Sequence, residues 1–365
     1  MIKNYLYSLI AVAALLFATA CSESEQASEA IREVEATFCL TLNEGVDTRA
    51  IGDGTTAKAL LYEIRRGNQV VKKETIADAF ADGLTYRLKV EVYLGVGYEY
   101  IFWAQKPDAP YGTDDLSAIS MNYENAPAND EGRDAFYAVG RFTGGESMGD
   151  VVLKRPFAQL NVGAQECVYE AAVLGNMHMD YSRVELKKIP TVFRPLTGEA
   201  TDLKDIIFQV APTPDKQTGD TLVVTVDSVA YEYRYLSMNY LLAHSDKMLF
   251  DSWVGLYGTP TIRIMDTSIP NVPLQRNYRT NILFSCSGGG DGPDGPVDPD
   301  PDDPDDPDDP DDPDDPDKPD KPDGPGGGGG GSTIVFGDVT FTIIIDPNFN
   351  ELKPGNPDYV GPPFE

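Results

Sequence analysis

Apolar and polar residues alternate along many short segments of this chain, and this period of two constrains the fold more than any other feature. In "LTYRLKVEVYL", six apolar residues from Leu84 to Leu94 occupy every second position, with Arg87, Lys89 and Glu91 between them. Successive side chains of a β-strand point to opposite faces, so the pattern is typical of a strand buried on one face. A chain of such strands is expected to bury its apolar faces between sheets.

Similar segments recur at close spacing up to Cys286. "AKALLYEIRRGNQVVKKETI" indicates two strands joined at residues 66–69, and "YEAAVLGNM" is the segment that favours a short helix. Helical periodicity is otherwise weak, so the predicted fold class is all-β, built as β-sandwiches. The first alternating segment is "VEATFCLTL", whose apolar face is Val34, Ala36, Phe38, Leu40 and Leu42.

About 250 residues of this kind suit two sandwich domains better than one. We place their boundary after Val162, which predicts an N-terminal domain at 21–163 and a C-terminal domain at 164–286. Residues 287–332 are a Pro/Asp/Gly linker, and 333–365 hold the last strand segment, "GSTIVFGDVTFTIIIDP", and a proline-rich tail.

The linker has too little apolar content to fold, and we predict that it is disordered. Between Asp291 and Asp323 there are 17 Asp and 2 Lys, a net charge of −15 out of −30 for the chain. Proline at every third position favours polyproline II, and repulsion between aspartates extends it further. A calcium-binding repeat is the alternative, but this Asp-rich repeat lacks the glycine turn and the glutamate of an EF-hand loop, so a spacer is favoured.

The first twenty residues have the pattern of a secretory signal: Lys3, then an apolar stretch, then "ATAC". The small residues before Cys21 resemble a lipobox, so Cys21 is the predicted lipidation site of an acylated lipoprotein. A plain signal peptide with an incidental cysteine is the alternative.

The motifs of enzymes and metal sites are missing from the sequence, which predicts no enzyme activity, no metal and no cofactor. His178 and His244 are isolated. Cys39, Cys167 and Cys286 have no CxxC spacing and are expected to be buried free thiols. Acidic composition without a basic patch argues against nucleic-acid binding.

The segment "NEGVDTRAIGDGTT" after the first strand is predicted to be an exposed loop with a single arginine, Arg49. Loop tips of small and polar residues are where proteolysis concentrates. A cut after Arg49 would separate the first strand from the remainder of the chain. The alternative is that Arg49 is an ordinary surface arginine.

Several segments together resemble the fimbrillins, the lipoprotein pilins of Bacteroidota that build type V pili. They are the lipobox at Cys21, "TRA" after the first strand, "RPFAQLNV", "IPTVFRPLTGEA", "YLSMNYLLA" and "VPLQRNYRTNI". The resemblance implies two transthyretin-like, Greek-key β-sandwich domains. It also implies an outer-membrane, surface-exposed lipoprotein that enters a fimbrium after processing.

The resemblance further implies assembly by donor-strand exchange. An Arg-specific protease would cut at Arg49 within a propeptide of residues 22–49, removing the strand Val34–Leu42, and a C-terminal strand of another subunit would fill the groove. The implied donor side chains are Ile334, Phe336, Val339, Phe341, Ile343 and Ile345. The implied partners are other fimbrial subunits, the processing protease, the outer membrane through the lipid anchor, and a host or bacterial surface receptor.

The function that these features predict is a structural, accessory or tip component of a fimbria serving adhesion. The long linker disfavours a rigid stalk subunit. It is also long enough to fold back, so the alternative that the last strand packs against its own body stays open. The main alternative is a non-polymerising, glycan-binding surface lipoprotein that uses the aromatic residues from Tyr98 to Trp103; a hydrolase with an unrecognised site is a further one.

Overall fold

Nearly all regular structure in the molecule is β-strand, as the alternating sequence predicts. The computed structural model describes residues 32–42, 52–174, 176–226, 229–286 and 339–346. Within these residues the elements are β1 (Glu33–Leu42), β2 (Ala59–Arg66), β3 (Gln69–Ile76), β4 (Thr85–Tyr93), β5 (Gly97–Gln105), β6 (Tyr111–Gly112), β7 (Ile119–Met121), a 3-10 turn (Glu131–Arg133), β8 (Ala135–Thr143), β9 (Asp150–Leu153), β10 (Phe157–Ala164), α1 (Glu166–Leu174), β11 (Tyr181–Arg194), β12 (Glu199–Ile207), β13 (Ala211–Pro212), α2 (Pro214–Thr218), β14 (Thr221–Val226), β15 (Val229–Leu242), β16 (Met248–Thr259), β17 (Ile262–Leu274), β18 (Arg279–Cys286) and β19 (Val339–Asp346).

Two sheets enclose a smaller core in the N-terminal part. Sheet A has the strand order β4-β1-β9, and sheet B has the order β3-β2-β5-β8. The inward positions of β4, Leu88, Val90 and Val92, are buried, while the residues between them are exposed. These side chains meet Tyr62 and Phe102 of sheet B, so sheets A and B form a β-sandwich.

A larger core lies between the remaining two sheets. Sheet C has the order β17-β16-β11-β7-β6, with β12 and β13 also paired to β11, and sheet D has the order β14-β15-β10-β18-β19. Leu61 and Trp103 of sheet B also belong to this larger core. β2 and β5, the central strands of sheet B, are therefore buried on both faces and join the two cores.

The hairpin and the helix that the sequence indicates are both present. β2 and β3 pair in antiparallel register up to Arg66 and Gln69, and Gly67 in the turn has φ = 57°. That left-handed backbone conformation is the one glycine adopts without a steric penalty. The segment predicted to favour a helix forms α1.

β10 lies with the C-terminal strands. It pairs antiparallel with β15 and parallel with β18, and its Phe157, Leu160 and Val162 side chains are fully buried in the larger core. The boundary predicted after Val162 would separate this strand from its partners. We therefore propose a boundary between Leu153 and Phe157.

The expectation of free, buried thiols is wrong for Cys167, which is exposed near the start of α1 and is disulfide-bonded. The spacing of the cysteines along the chain could not indicate this disulfide, because the surroundings of Cys167 are set by tertiary structure. The fold brings the start of α1 next to β18, where Gln165 N donates to Phe284 O at 2.9 Å. Cys39 is a free, half-buried cysteine. In the described part of the chain no helix is both long and apolar enough to span a membrane.

The aromatic residues offered as a glycan-binding surface lie inside the protein. Trp103 and Phe102 are completely buried, and Tyr98 and Tyr100 are less than a tenth exposed. Successive side chains of β5 point alternately into the larger and the smaller core, so neither face of the strand is free. The predicted platform from Tyr98 to Trp103 is therefore wrong.

Candidate functional site

β1 is the middle strand of sheet A although it is the first strand of the described chain. It pairs antiparallel with β4 over nine residue pairs, from Glu33–Tyr93 to Thr41–Thr85. On its other side it pairs parallel with β9, from Cys39–Asp150 to Leu42–Leu153. Removal of β1 would leave unpaired backbone groups on both neighbouring strands, which a second strand could satisfy.

The inward side chains of β1 complete the smaller core. Phe38, Leu40 and Leu42 are fully buried, Ala36 is 1% exposed, and Val34 is half-buried at the sheet margin. Fully burying a large apolar side chain contributes about 1.5–3 kcal/mol. Without β1, the smaller core would have an apolar slot open along one of its two sheets.

Phe38 is the centre of an aromatic cluster within this core. Its ring contacts those of Tyr100, Phe102 and Phe142 edge-on, with centroid distances of 5.5, 5.1 and 5.2 Å. Edge-to-face pairs add to the area that the rings bury. The contacts make Phe38 the principal anchor of β1 against sheet B.

The chain is held on both sides of the segment that contains Arg49. On the N-terminal side, Leu42 N donates to Leu84 O at 2.7 Å. On the C-terminal side, Gly52 N donates to Glu131 Oε1 at 2.9 Å, and Arg155 Nη2 donates to Gly52 O. Arg49 itself, like Cys21, lies outside the described residues.

We call Gly52, Glu131 and Arg155 the Gly52 clamp, because the two side chains hold both backbone groups of the glycine. Gly52 has φ = 87°, and a Cβ atom there would lie 3.3 Å from Tyr240 Oη and 3.4 Å from Gln159 Nε2. An L-residue at position 52 would therefore be strained by its backbone and crowded by buried polar atoms.

An ion pair with no solvent exposure supports the clamp. Arg155 donates from Nε to Asp134 Oδ1 at 2.8 Å and from Nη2 to Oδ2 at 2.7 Å, and both side chains are at most 1% exposed. The guanidinium lies 4.5 Å from the ring centroid of Phe136. Burial lowers the pKa of Arg155 and the Asp134 carboxylate raises it, with a net rise that keeps the guanidinium charged.

Glu131 is half-buried, and this burial raises the pKa of its carboxyl group. The hydrogen bond from Gly52 N opposes the rise, and the nearby Asp53 carboxylate adds to it. A buried carboxylate that accepts a backbone N–H gains a charge-assisted hydrogen bond. The clamp thus holds Gly52 between a carboxylate on one side and a guanidinium on the other.

The polar residues of three sequence motifs converge at this glycine. Arg155 and Gln159 come from "RPFAQLNV", Tyr240 from "YLSMNYLLA", and Arg279 from "VPLQRNYRTNI"; Arg279 Nη2 would lie 3.7 Å from a Cβ at position 52. Gln159 alternates with buried apolar residues along β10, and this is a sequence signal that identifies it. Sequence reasoning used these motifs only as a resemblance and missed both their meeting point and the contributions of Glu131 and Asp134.

The described part of the predicted donor segment, β19, pairs with a strand of its own chain. β19 pairs antiparallel with β18 from Cys286–Val339 to Arg279–Asp346 and forms one edge of sheet D. Ile343 is partly buried against the larger core and Ile345 is half-exposed, while Val339 and Phe341 belong to the paired strand. Ile334 and Phe336 lie outside the described residues.

The described residues contain no group of three or more His, Cys, Asp or Glu side chains arranged to hold a metal ion. In the set around Gly52, Glu131 and Arg155 bond the backbone of the glycine, and Arg155 pairs with Asp134. This arrangement is suited to holding a chain segment in place.

A family model described as a family of unknown function (DUF6562) matches residues 27–283. Among curated proteins, no sequence matches the chain. The solved structures that resemble it include Bacteroidota fimbrial proteins: a fimbrial assembly protein from Parabacteroides distasonis (10% identity, 70% of this chain and 93% of that one, TM-score 0.40), the tip fimbrial protein Mfa3 from Porphyromonas gingivalis (9%, 69% and 95%, 0.37) and the fimbrial anchor protein Mfa2 from the same organism (9%, 71% and 94%, 0.36). At TM-scores below 0.5 these likenesses assign no function to the chain.

Proposed function

The chain belongs to the DUF6562 family, and we propose that it is a fimbrial surface protein assembled by strand exchange and serving adhesion. In this proposal the precursor is lipidated at Cys21 and exposed at the outer membrane. A cut after Arg49 frees β1 from the body, and a C-terminal strand of another subunit takes its place. The protein acts as a structural, accessory or tip component and not as an enzyme.

The observation that carries the proposal is the position of β1. A strand at the start of the body occupies the middle of a sheet, and the 16 residues 43–58 link it to β2. Arg49 is the sole arginine among them. One cut there leaves β1 held by noncovalent contacts alone.

Those contacts explain why cleavage and exchange are separate steps. Phe38, Leu40 and Leu42 together contribute on the order of 5–9 kcal/mol of side-chain burial. A strand held so firmly leaves slowly, so the cut precursor persists until a competing strand or partial unfolding displaces β1. The replacement must offer comparable side chains at the same spacing.

β19 offers such side chains. The sequence "ATFCLTL" of β1, starting at Ala36, aligns without gaps with "VTFTIII" of β19, starting at Val339. The alignment matches Phe38 with Phe341 and places aliphatic residues of β19 at the inward positions of Ala36, Leu40 and Leu42. Phe341 would enter the aromatic cluster that Phe38 occupies.

Strand pairing favours the exchange as well. At the edge of sheet D, β19 has one neighbour and eight residue pairs. In sheet A, β1 has two neighbours, with nine pairs to β4 and four to β9. A donor that moved from the edge to the middle of a sheet would gain backbone hydrogen bonds.

The proposal is tested with the unlipidated precursor, residues 22–365, and an Arg-specific protease. We expect a new N-terminus at Ala50 and, after a cycle of partial unfolding, heat-resistant ladders on a denaturing gel. The matched Arg49→Lys variant should yield neither. A wild-type product that is clipped at Arg49 but stays monomeric would contradict strand exchange, and an intact loop would contradict processing.

A peptide experiment tests the occupant of the slot. The cleaved body, freed of β1 by denaturant and refolded, should bind a peptide of residues 333–347 with a rise in Tm. A Phe341→Ala peptide should bind at least tenfold more weakly, because it lacks the aromatic anchor, whereas a Thr342→Ala peptide should bind like wild type. Equal binding by all three peptides would exclude the proposed register.

A further inference from the structure

The Gly52 clamp holds the chain three residues beyond Arg49. Both backbone groups of Gly52 are bonded to side chains, Glu131 on the N–H and Arg155 on the carbonyl. Glu131 precedes β8 and Arg155 precedes β10, so the bonds tie the first described residue after segment 43–51 to residues that do not belong to β1.

Next to the clamp, the chain continues in further fixed contacts. Asp53 Oδ1 accepts from Thr55 N at 2.8 Å and from Thr55 Oγ1 at 2.6 Å, and Thr56 Oγ1 donates to Glu131 O at 3.3 Å. The segment from Gly52 to Thr56 is therefore held before β2 begins. None of these hydrogen bonds involves a residue of β1.

The clamped backbone also has a conformation that a protease cannot bind directly. Peptides usually enter recognition grooves as extended strands. At φ = 87°, Gly52 is in the left-handed region instead, with its N–H and carbonyl already bonded inside the protein. A protease whose groove covers three residues after the cut must wait until the clamp opens.

We propose that the Gly52 clamp is a positioning site that sets the rate of cleavage after Arg49 and then retains the new end of the body. The inference rests on the proposed processing at Arg49 and adds the residues that regulate it. When local opening is fast compared with cleavage, the rate follows the fraction of molecules in the open form. A weaker clamp therefore gives faster cleavage at this loop, while other arginines remain protected.

The test is a time course of the unlipidated precursor with an Arg-specific protease, read by intact mass. Glu131→Ala removes the carboxylate that accepts from Gly52 N and should accelerate the cut after Arg49 about tenfold. Gly52→Ala, which strains the backbone and crowds Gln159 and Tyr240, should act in the same direction. The control Glu124→Ala removes an exposed carboxylate outside the clamp and should leave the rate unchanged.

Comparing the cleavage rate at Arg49 with the rates at other arginines distinguishes clamp opening from general destabilisation of the protein. A variant that merely unfolds more often would also be cut faster at arginines inside strands, such as Arg65 and Arg87. We expect the acceleration at Arg49 alone, and a synthetic peptide of residues 43–56 should be cut equally with or without Gly52→Ala. Equal cleavage rates for wild type and Glu131→Ala, or equal acceleration at all arginines, would overturn the inference. Absence of any cut at Arg49 in wild type would instead refute the proposed function.

Discussion

Phe38 connects β1 to the opposite sheet more directly than its neighbours do, because its ring meets three aromatic rings of β5 and β8. Cys39, the next residue, points to the other face and is half-buried. Adjacent side chains of a strand point to opposite faces, so Phe38 and Cys39 contribute very differently to the packing of the smaller core.

Phe38→Ala is expected to lower the free energy of unfolding of the uncut precursor by about 3–5 kcal/mol, through lost burial and a cavity in the smaller core. Urea denaturation followed by tryptophan fluorescence measures this loss. Cys39→Ala, on the opposite face, should change the free energy by less than about 1 kcal/mol. Similar losses for both variants would show that β1 does not have the register described.

Glu131 contributes a pH dependence of predictable sign. Burial raises the pKa of its carboxyl group, so the folded protein binds this proton more readily than the unfolded chain does. The stability that Glu131 contributes therefore rises as the pH falls through the folded pKa towards the unfolded value, and levels off below it.

The comparison of wild type with Glu131→Gln isolates this group from the other carboxylates. Between about pH 7 and about pH 4, the free energy of unfolding of wild type should rise relative to that of the variant as the pH is lowered. Chemical denaturation at a series of pH values measures the difference. A difference that is constant, or that falls at low pH, would contradict the burial of a carboxylate at this position.

At the scale of elements, β18 depends on β19 to cover its outer edge. Ile282, Leu283 and Phe284 of β18 are buried, and their backbone groups on that side pair with β19. An uncovered strand with such side chains is a site for association with other chains.

Deletion of residues 333–365 is therefore expected to lower Tm by on the order of 5 °C and to promote association. Differential scanning fluorimetry and light scattering measure the two effects. Deletion of residues 347–365 alone retains β19 and is the matched control. A truncated protein that stays monomeric with an unchanged Tm would mean that β19 contributes nothing to sheet D.

At the scale of the whole molecule, the two cores make the loss of β1 a local event. β1 contacts sheet A and the smaller core, whereas sheets C and D enclose the larger core. Sheet B lies between them and remains packed on its larger-core face. We therefore expect that a slot opened in sheet A leaves the other sandwich folded.

Hydrogen exchange tests this separation. After cleavage and removal of β1, amides of β4 and β9 are expected to exchange faster, because they lose their partner strand. Amides of β11 and β16, which are inner strands of sheet C, should keep their protection, and an added peptide of residues 333–347 should slow β4 and β9 again. Exchange that accelerates throughout the molecule would show that the two sandwiches unfold together.

Strand positions and their buried faces could be read from the sequence, because the period of two is a local property of the backbone. The inward residues of β1 and β4 and the turn at Gly67 all follow from neighbouring residues alone. The helix α1 was also indicated locally. The same local reasoning failed for Tyr98–Trp103, since alternation cannot show that both faces of a strand are covered.

The alternating pattern thus establishes the all-β class and the inward face of one-sided strands such as β1 and β4. Tertiary structure alone decided that β10 joins sheet D, that β1 lies between β4 and β9, that β19 pairs with β18, and that polar residues from three motifs meet at Gly52. The physical reason is that strands pair through backbone groups, which are nearly the same in every residue. Which strands become neighbours depends on the packing of all the sheets, and that information is spread over the whole chain.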